Sequence, residues 1–258
     1  MTGSELRAGV ARLSLNVGAS GTLTSDCVRA IADAIEDLSK EDECRVIVLS
    51  SKDGLFGAGF DLAEAGDAAA RGDDAPAQRF ARCLLAISRA RQPVIAAVDG
   101  TTTAGAVGLV AASDIVIASP RATFQLPEMA FGMLPAIITP YLKRRMPPAR
   151  LRYLVLSTRS IDVREAHQYG LVDEIAELGV DHAVERQVRR IVRSSPEALV
   201  EYKRQFGCDC YESEQSVVRQ AEWMRRPGMD RIIADFANGL APEWFSGPGK
   251  VRSGSGDN

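Results

Sequence analysis

The sequence predicts an α/β fold built from repeated strand–strand–helix (ββα) units and followed by a helical C-terminal region. Three observations predict it. Short apolar runs such as Val46–Leu49 and Val94–Val98 alternate with stretches whose apolar residues recur at helical spacing. Gly-rich turns join the two kinds of segment, at residues 53–62 and within residues 96–114. Beyond Ile175 only helical periodicity remains.

Taken in order, Val10–Leu15 alternates like a strand, and Thr24 or Ser25 caps a helix carrying Val28, Ile31, Ile35 and Leu38 on one face. Val46–Leu49 is a continuous β-branched and apolar run, the pattern of a strand buried on both faces. The Asp53–Leu62 turn leads into an Ala/Gly/Asp stretch, Ala63–Ala75, expected to be flexible, and then a helix with Phe80, Cys83, Leu84 and Ile87 aligned. Pro93 introduces the strand Val94–Val98, a helix opens near Gly105, and Asp114–Ala118 is a further short strand. Past Glu128 a helix runs through Tyr141 and Leu142 to a stop at Pro147-Pro148. Asp162 and Glu165 form a capping box for a short helix closed at Gly170, and Leu171–Ile175 is one more strand. Ser195-Pro196 starts another helix, Asp230–Asn238 with Gly239 closes a further one, and Ser253–Asn258 is expected to be a disordered tail. The chain therefore divides near residue 195, into a core over 1–195 and a helical region over 196–258. The apolar faces of that region need covering, by another subunit or by its own core.

The 258 residues suffice for one large core or two modest ones, and 46% hydrophobic with 25% charged residues is an ordinary globular composition. A net charge of −3 and the lack of a basic block give no reason to expect nucleic acid or an anionic membrane as partner. The longest apolar run, around Ala104–Ala112, is too short to span a bilayer, and Met1–Glu5 has no basic-then-apolar signal pattern, so a cytoplasmic location is expected. Five scattered cysteines, Cys27, Cys44, Cys83, Cys208 and Cys210, favour reduced thiols over a disulfide framework. Cys208-Asp209-Cys210 lacks a second Cys or His pair, so no metal site is expected. His167 and His182 fall in helical segments far from the Gly-rich turns and read as surface or packing residues.

The chemistry concentrates elsewhere. Between Ala96 and Asp114 an apolar strand passes into a tightly packed helix through residues with almost no side chain, which leaves backbone N–H groups, notably that of Gly105, free to meet developing negative charge. With Phe56-Gly57-Ala58-Gly59-Phe60-Asp61 upstream and Leu126-Pro127-Glu128 downstream, the chain holds two candidate oxyanion donors and one carboxylate. That set suits enolate chemistry on a thioester.

These segments, together with Ala112–Ser119, Phe124–Glu128 and Gly170-Leu171-Val172-Asp173-Glu174, resemble the enoyl-CoA hydratase/isomerase (crotonase) superfamily over essentially the whole chain. The resemblance implies a crotonase-like spiral with a C-terminal oligomerisation region, a homotrimer or hexamer, and no cofactor. Gln125–Ala136, Pro140–Arg145, Ile161–Val172 and Tyr202-Lys203-Arg204 are similar to one branch, the hydratase-like dehydratases of polyketide β-branching cassettes. That branch implies loss of water from 3-hydroxy-3-methylglutaryl on an acyl carrier protein, giving 3-methylglutaconyl.

By position the resemblance puts the oxyanion donors on the N–H groups of Phe60 and Gly105, with Ala58 and Ala104 beside them as substrate-binding residues. Ordinary hydratases of the family use two glutamates, and this chain has Gly108 at the first position and Glu128 at the second. Glu128 is thus the candidate acid–base. Asp61 is a second candidate acid, or else the residue that holds its turn. A distal carboxylate on the substrate calls for a cation, for which Lys143, Arg144 and Arg145 are candidates, although a basic helix end also complements the helix dipole. Leu15-Asn16-Val17-Gly18-Ala19-Ser20 and Ala63 depart from segments that commonly contact the nucleotide end of coenzyme A, as a carrier-protein phosphopantetheine would permit. Competing readings are an enoyl-CoA hydratase or double-bond isomerase acting on a coenzyme A thioester, the decarboxylase of the same cassette, and a binding protein without activity. RNA binding of the kind some relatives show is disfavoured by Asp26, Asp33, Glu36, Asp37, Glu41, Asp42 and Glu43 on the first helix, against Arg29 and Lys40.

Overall fold

Five consecutive small or branched apolar residues, Val94 to Val98, are all buried, and the rest of the chain is arranged around this run. The computed structural model describes residues 3–15, 17, 20–51, 54–206 and 210–240. Met1, Thr2, Asn16, Gly18, Ala19, Asp53, Cys208, Asp209 and the tail Ser253–Asn258, all of which carried expectations, lie outside the described residues.

The chain opens with β1 (Gly3–Arg7) and β2 (Val10–Ser14), an antiparallel pair, then β3 (Thr22–Leu23) and α1 (Ser25–Leu38). β4 (Val46–Ser50), β5 (Leu55–Gly57) and β6 (Gly59–Phe60) precede α2 (Leu62–Arg71) and α3 (Ala75–Arg89). β7 (Val94–Val98) and β8 (Thr101–Thr103) precede α4 (Gly105–Ala112). β9 (Ile115–Ala118) and β10 (Thr123–Gln125) lead through a 3-10 turn, Glu128–Phe131, to α5 (Thr139–Arg145) and α6 (Pro148–Ser157). β11 (Ser160–Asp162), α7 (Val163–Gln168), β12 (Glu174–Ile175), α8 (Val180–Ile191), α9 (Pro196–Phe206), α10 (Cys210–Met224) and α11 (Met229–Ala237) complete the described chain.

From β4 to β10 each repeat gives one strand to a large sheet and the next to a small one. The large sheet has the order β1-β2-β4-β7-β9-β12 and the small one β11-β10-β8-β5, with β3 and β6 paired separately. Beyond the β1–β2 and β10–β11 pairs, every pairing is parallel. Strand alternation splits the apolar side chains of the large sheet between two layers. Ile47, Leu49, Ala96, Val98 and Val116 join the main core with α1, α3 and α4, while Val48, Ile95, Ala97 and Ile117 pack with Ala183, Val184 and Ile191 of α8. A parallel sheet covered on both faces is the expected consequence of unbroken β-branched runs.

Several expectations are corrected. Ala63–Ala75 is not a flexible stretch, because α2 occupies Leu62–Arg71, an alanine-rich segment of high helix propensity. Asp61 caps it, its Oδ1 accepting from the N–H groups of Ala63 and Glu64 at 3.0 Å each. Pro147-Pro148 is not only a stop, since Pro148 is the first residue of α6, where its missing N–H removes no helical bond. The strand expected over Leu171–Ile175 shortens to Glu174–Ile175, because the N–H groups of Leu171 and Val172 turn back to the Ala166 carbonyl and close α7. The capping box is half formed: Asp162 accepts from the Glu165 N–H, but the Glu165 carboxylate pairs with Arg159. β8, β10 and β11 are three-residue strands rich in Thr, Ser and Gln that carry no apolar alternation.

The C-terminal helices return to their own core. α11 packs on α2, and α10 packs on α3 and α5. No described helix is long and apolar enough to cross a membrane. Among the described residues no cluster of His, Cys, Asp and Glu could hold a metal ion, and Cys27, Cys44 and Cys83 are free thiols.

The Asp61 cap is directly testable. Asp61→Ala is expected to lower the unfolding free energy by about 1 kcal/mol in urea denaturation, and Asp61→Ser to recover most of it.

Candidate active site

Register brings the site together. In the small sheet Gly57 pairs with Thr102, and Thr103 with Gln125, all in parallel strands, so the C-terminal ends of β5, β8 and β10 emerge side by side. Residues 58–60, 104–105 and 126–128 therefore leave the sheet at one edge. The Ala104 N–H also donates to the Gln125 carbonyl at 2.9 Å, which ties the start of α4 to the segment that carries Glu128.

α4 is buried at all eight positions, and its apolar surface on every side is what allows it to thread the core. Its N-cap, Ala104, takes φ 50° and ψ −123°, a conformation that alanine rarely adopts. This turns the chain sharply enough for the Gly105 N–H to begin the helix without an intrahelical acceptor, at the positive end of the dipole. Just past β6, Asp61 donates its N–H to the Leu23 carbonyl. Successive amides of a strand point to opposite edges, so that of Phe60 faces the other way, toward α4.

The two amides border one small space. A Cβ placed on Gly105 would stand 3.5 Å from the Phe60 nitrogen and 3.1 Å from Phe80 Cζ. A Cβ on Gly59, whose φ is +95°, would stand 3.4 Å from the Gly105 nitrogen and 2.7 Å from Ala104 Cβ. The rings of Phe60 and Phe80 lie 6.0 Å apart between centroids and inclined at 50°, which anchors β6 to α3. Phe60, Gly105, Ala58, Ala104 and Glu128 all line a cavity of about 320 Å³, otherwise walled mainly by apolar side chains such as Phe80, Phe131 and Ile138.

Glu128 opens the 3-10 turn and is only 7% exposed. Its Oε2 has no hydrogen-bond partner among the described residues, and burial pushes its pKa up to about 7. A carboxyl group poised there can take and return a proton near neutral pH. The turn ends at Gly132 in the left-handed conformation, and the Trp223 indole N–H of α10 donates to the Gly132 carbonyl at 2.7 Å. A second carboxylate at position 108 has no room, because a Cβ on Gly108 would stand 2.3 Å from Ile138 Cγ2.

The other candidates separate. Asp61 is occupied as the α2 cap and does not line the cavity. Lys143, Arg144 and Arg145 do not line it either, and Arg145 binds the carbonyls of Ser113, Asp114 and Leu171 and the Asp173 carboxylate. Among the described residues, the cation that does line it is Arg225, just past the end of α10, hydrogen-bonded to Asp74. Arg225 and the neighbouring Gln220 carry no local sequence signal, since only the packing of α10 on α3 and α5 brings them to the cavity. His167 Nδ1 lies 2.8 Å from the Val172 carbonyl, and His182 is exposed.

Residues 5–226 match the enoyl-CoA hydratase/isomerase family. Among individual relatives, the bacillaene synthase dehydratase PksH of Bacillus subtilis is 36% identical over 109 residues, 42% of either chain. A crystal structure of a putative enoyl-CoA hydratase from Mycobacterium avium paratuberculosis superposes with a TM-score of 0.80 at 33% identity, covering 92% of this chain and 94% of that one. That of a putative polyketide biosynthesis enoyl-CoA hydratase (pksH) from Bacillus subtilis gives a TM-score of 0.83 at 23% identity, covering 93% and 98%, a likeness of fold.

Two outcomes follow from the site geometry. Gly105→Ala is expected to lower turnover of any thioester substrate by about a hundredfold or more, because its methyl group fills the space between the amides. Circular dichroism would show the fold retained. Burial of Glu128 also predicts a stability slope. Its pKa rises from 4.5 unfolded to about 7 folded, so the folded state holds its proton more tightly, and stability falls as pH increases between those values. Denaturation across this range is expected to show a loss of about 3 kcal/mol that is absent in Glu128→Gln.

Proposed function

The chain belongs to the enoyl-CoA hydratase/isomerase family, and from that premise we propose that it is a dehydratase, removing water from a 3-hydroxyacyl thioester. The favoured substrate is 3-hydroxy-3-methylglutaryl on the phosphopantetheine arm of an acyl carrier protein, and the product 3-methylglutaconyl. One observation carries the reading: a single buried carboxyl group, Glu128, lines an apolar cavity together with Phe60 and Gly105, while Ile138 occupies the space a side chain at position 108 would need. The partial likeness to the bacillaene synthase dehydratase supports it.

In this reaction the thioester oxygen accepts hydrogen bonds from the N–H groups of Phe60 and Gly105, which lowers the energy of the enolate by several kcal/mol and makes the C2 proton removable. The Glu128 carboxylate takes that proton. The C3–O bond then breaks as the enolate electrons form the double bond, and Glu128 returns the proton to the departing hydroxyl, which leaves as water. One carboxyl group suffices if proton and hydroxyl leave from the same face. In this reading a distal carboxylate meets Arg225, which lines the cavity and is hydrogen-bonded to Asp74.

Purified protein mixed with 3-hydroxy-3-methylglutaryl-loaded carrier protein is expected to release one water per acyl group, read by mass spectrometry, and Glu128→Ala to abolish it. Loss of carbon dioxide from the unsaturated acid alone would favour the decarboxylase instead. Turnover confined to coenzyme A thioesters would favour a hydratase or isomerase.

A further inference from the structure

We infer that Gln220 of α10 recognises the 3-hydroxyl of the acyl chain, an assignment that rests on the dehydratase reading and extends it to a residue outside the family motifs described above. Gln220 is 7% exposed, lines the same cavity as Glu128, and its Oε1 has no hydrogen-bond partner among the described residues. Glu128 Oε2 is in the same condition. Buried polar atoms are seldom left unpaired, and two of them on residues that line one largely apolar cavity point to a ligand that carries a hydrogen-bonding group to meet them.

A saturated or simple unsaturated acyl chain brings no such group, since its carbonyl oxygen is taken by the Phe60 and Gly105 amides. A hydroxyl on C3 does. Helix α4 cannot supply a partner for it, because Ile138 and Phe80 close the space over Gly108. The remaining charged lining groups, Asp73, Asp74 and Arg225, reach solvent, and Arg225 is engaged with Asp74. The placement of Gln220 is also fixed. Trp223, three residues on and on the same helical face, donates to Gly132 at the end of the turn that Glu128 begins. One hydrogen bond thus couples the helix bearing Gln220 to the turn bearing Glu128.

The 3-hydroxyl donates its hydrogen to Gln220 Oε1, which leaves its oxygen lone pairs open to the proton carried by Glu128. When the C3–O bond breaks, the oxygen departs with both hydrogens as water. The same contact selects against chains without the hydroxyl, because binding them would leave the Gln220 oxygen unpaired.

The test uses the pantetheine thioesters of 3-hydroxybutyrate and butyrate, with binding measured calorimetrically on the full chain carrying Glu128→Gln to stop turnover. The hydroxylated thioester is expected to bind about tenfold more tightly, and addition of Gln220→Met to remove the preference. Gln220→Glu, which keeps an acceptor at the same reach, is expected to retain it. Equal affinity for the two thioesters in the single Glu128→Gln protein overturns the inference whether or not the double variant folds, as does a preference that survives Gln220→Met. Turnover by the unsubstituted protein separates the two claims. A hydroxyl preference that depends on Gln220, without release of water from any 3-hydroxyacyl thioester, would sink the dehydratase reading and leave hydroxyl recognition standing.

Discussion

Two peptide groups from distant parts of the chain must face one small space, and much of the architecture follows from that demand. β6 and the first turn of α4 approach so closely that a methyl group on Gly59 would press on Ala104, and one on Gly105 would crowd Phe80 and the Phe60 nitrogen. Main-chain donors have no rotamers to order, so once the strands are in register they are already aimed, and little reorganisation remains when charge develops. The strained backbone of Ala104 is the local consequence of this arrangement. It persists because β8 on one side and a completely buried helix on the other leave the chain no alternative path.

The carboxyl group is held by the opposite strategy. Glu128 is placed on a short turn that is pinned at its far end by Trp223, inside apolar walls that do not solvate its charge. That environment destabilises the folded protein above the ordinary carboxylate range, and in the proposed reaction it is also what suits the group to exchange a proton near neutral pH. Stability is supplied elsewhere. Lys203 of α9 reaches the Asp114 carboxylate and the Gln92 carbonyl, and Arg145 gathers the carbonyls that end α4 and α7, so the strands leading to the site are braced from outside the cavity. The positive charges that looked available to a substrate from sequence include one, Arg145, already committed to this bracing.

Legibility in the sequence tracked how local the governing physics was. Val46–Ser50, Val94–Val98 and the amphipathic α1 and α3 were readable because burial on a parallel sheet or one helical face imposes a periodic pattern. β8, β10 and β11 were not, since their pairing satisfies backbone groups while their Thr, Ser and Gln side chains follow no apolar alternation. Gly66 and Asp67 give the alanine-rich α2 the local pattern of a flexible stretch, while helix propensity and the Asp61 cap make it a helix. At the site, Phe60, Gly105 and Glu128, to which the family resemblance points by position, line one cavity. No such pointer exists for Gln220 and Arg225, because helical spacing says which residues share a face and nothing about which cavity that face will meet.

Closing the position over Gly108 with Ile138 has a consequence for how the cavity can be polar. The close approach of β6 to the buried helix α4 leaves few places on the strand ends where a side chain could change without disturbing the two amides. The elements that can vary are those added on top, and here α10 brings Gln220 and Arg225 to the lining while α11 covers α2. In the proposed reaction this division puts acid–base chemistry on the interior and recognition of the acyl chain on the outer helices. On the proposed mechanism, a change of acyl chain would then be met by changing a few side chains on α10, a helix that takes no part in holding the oxyanion.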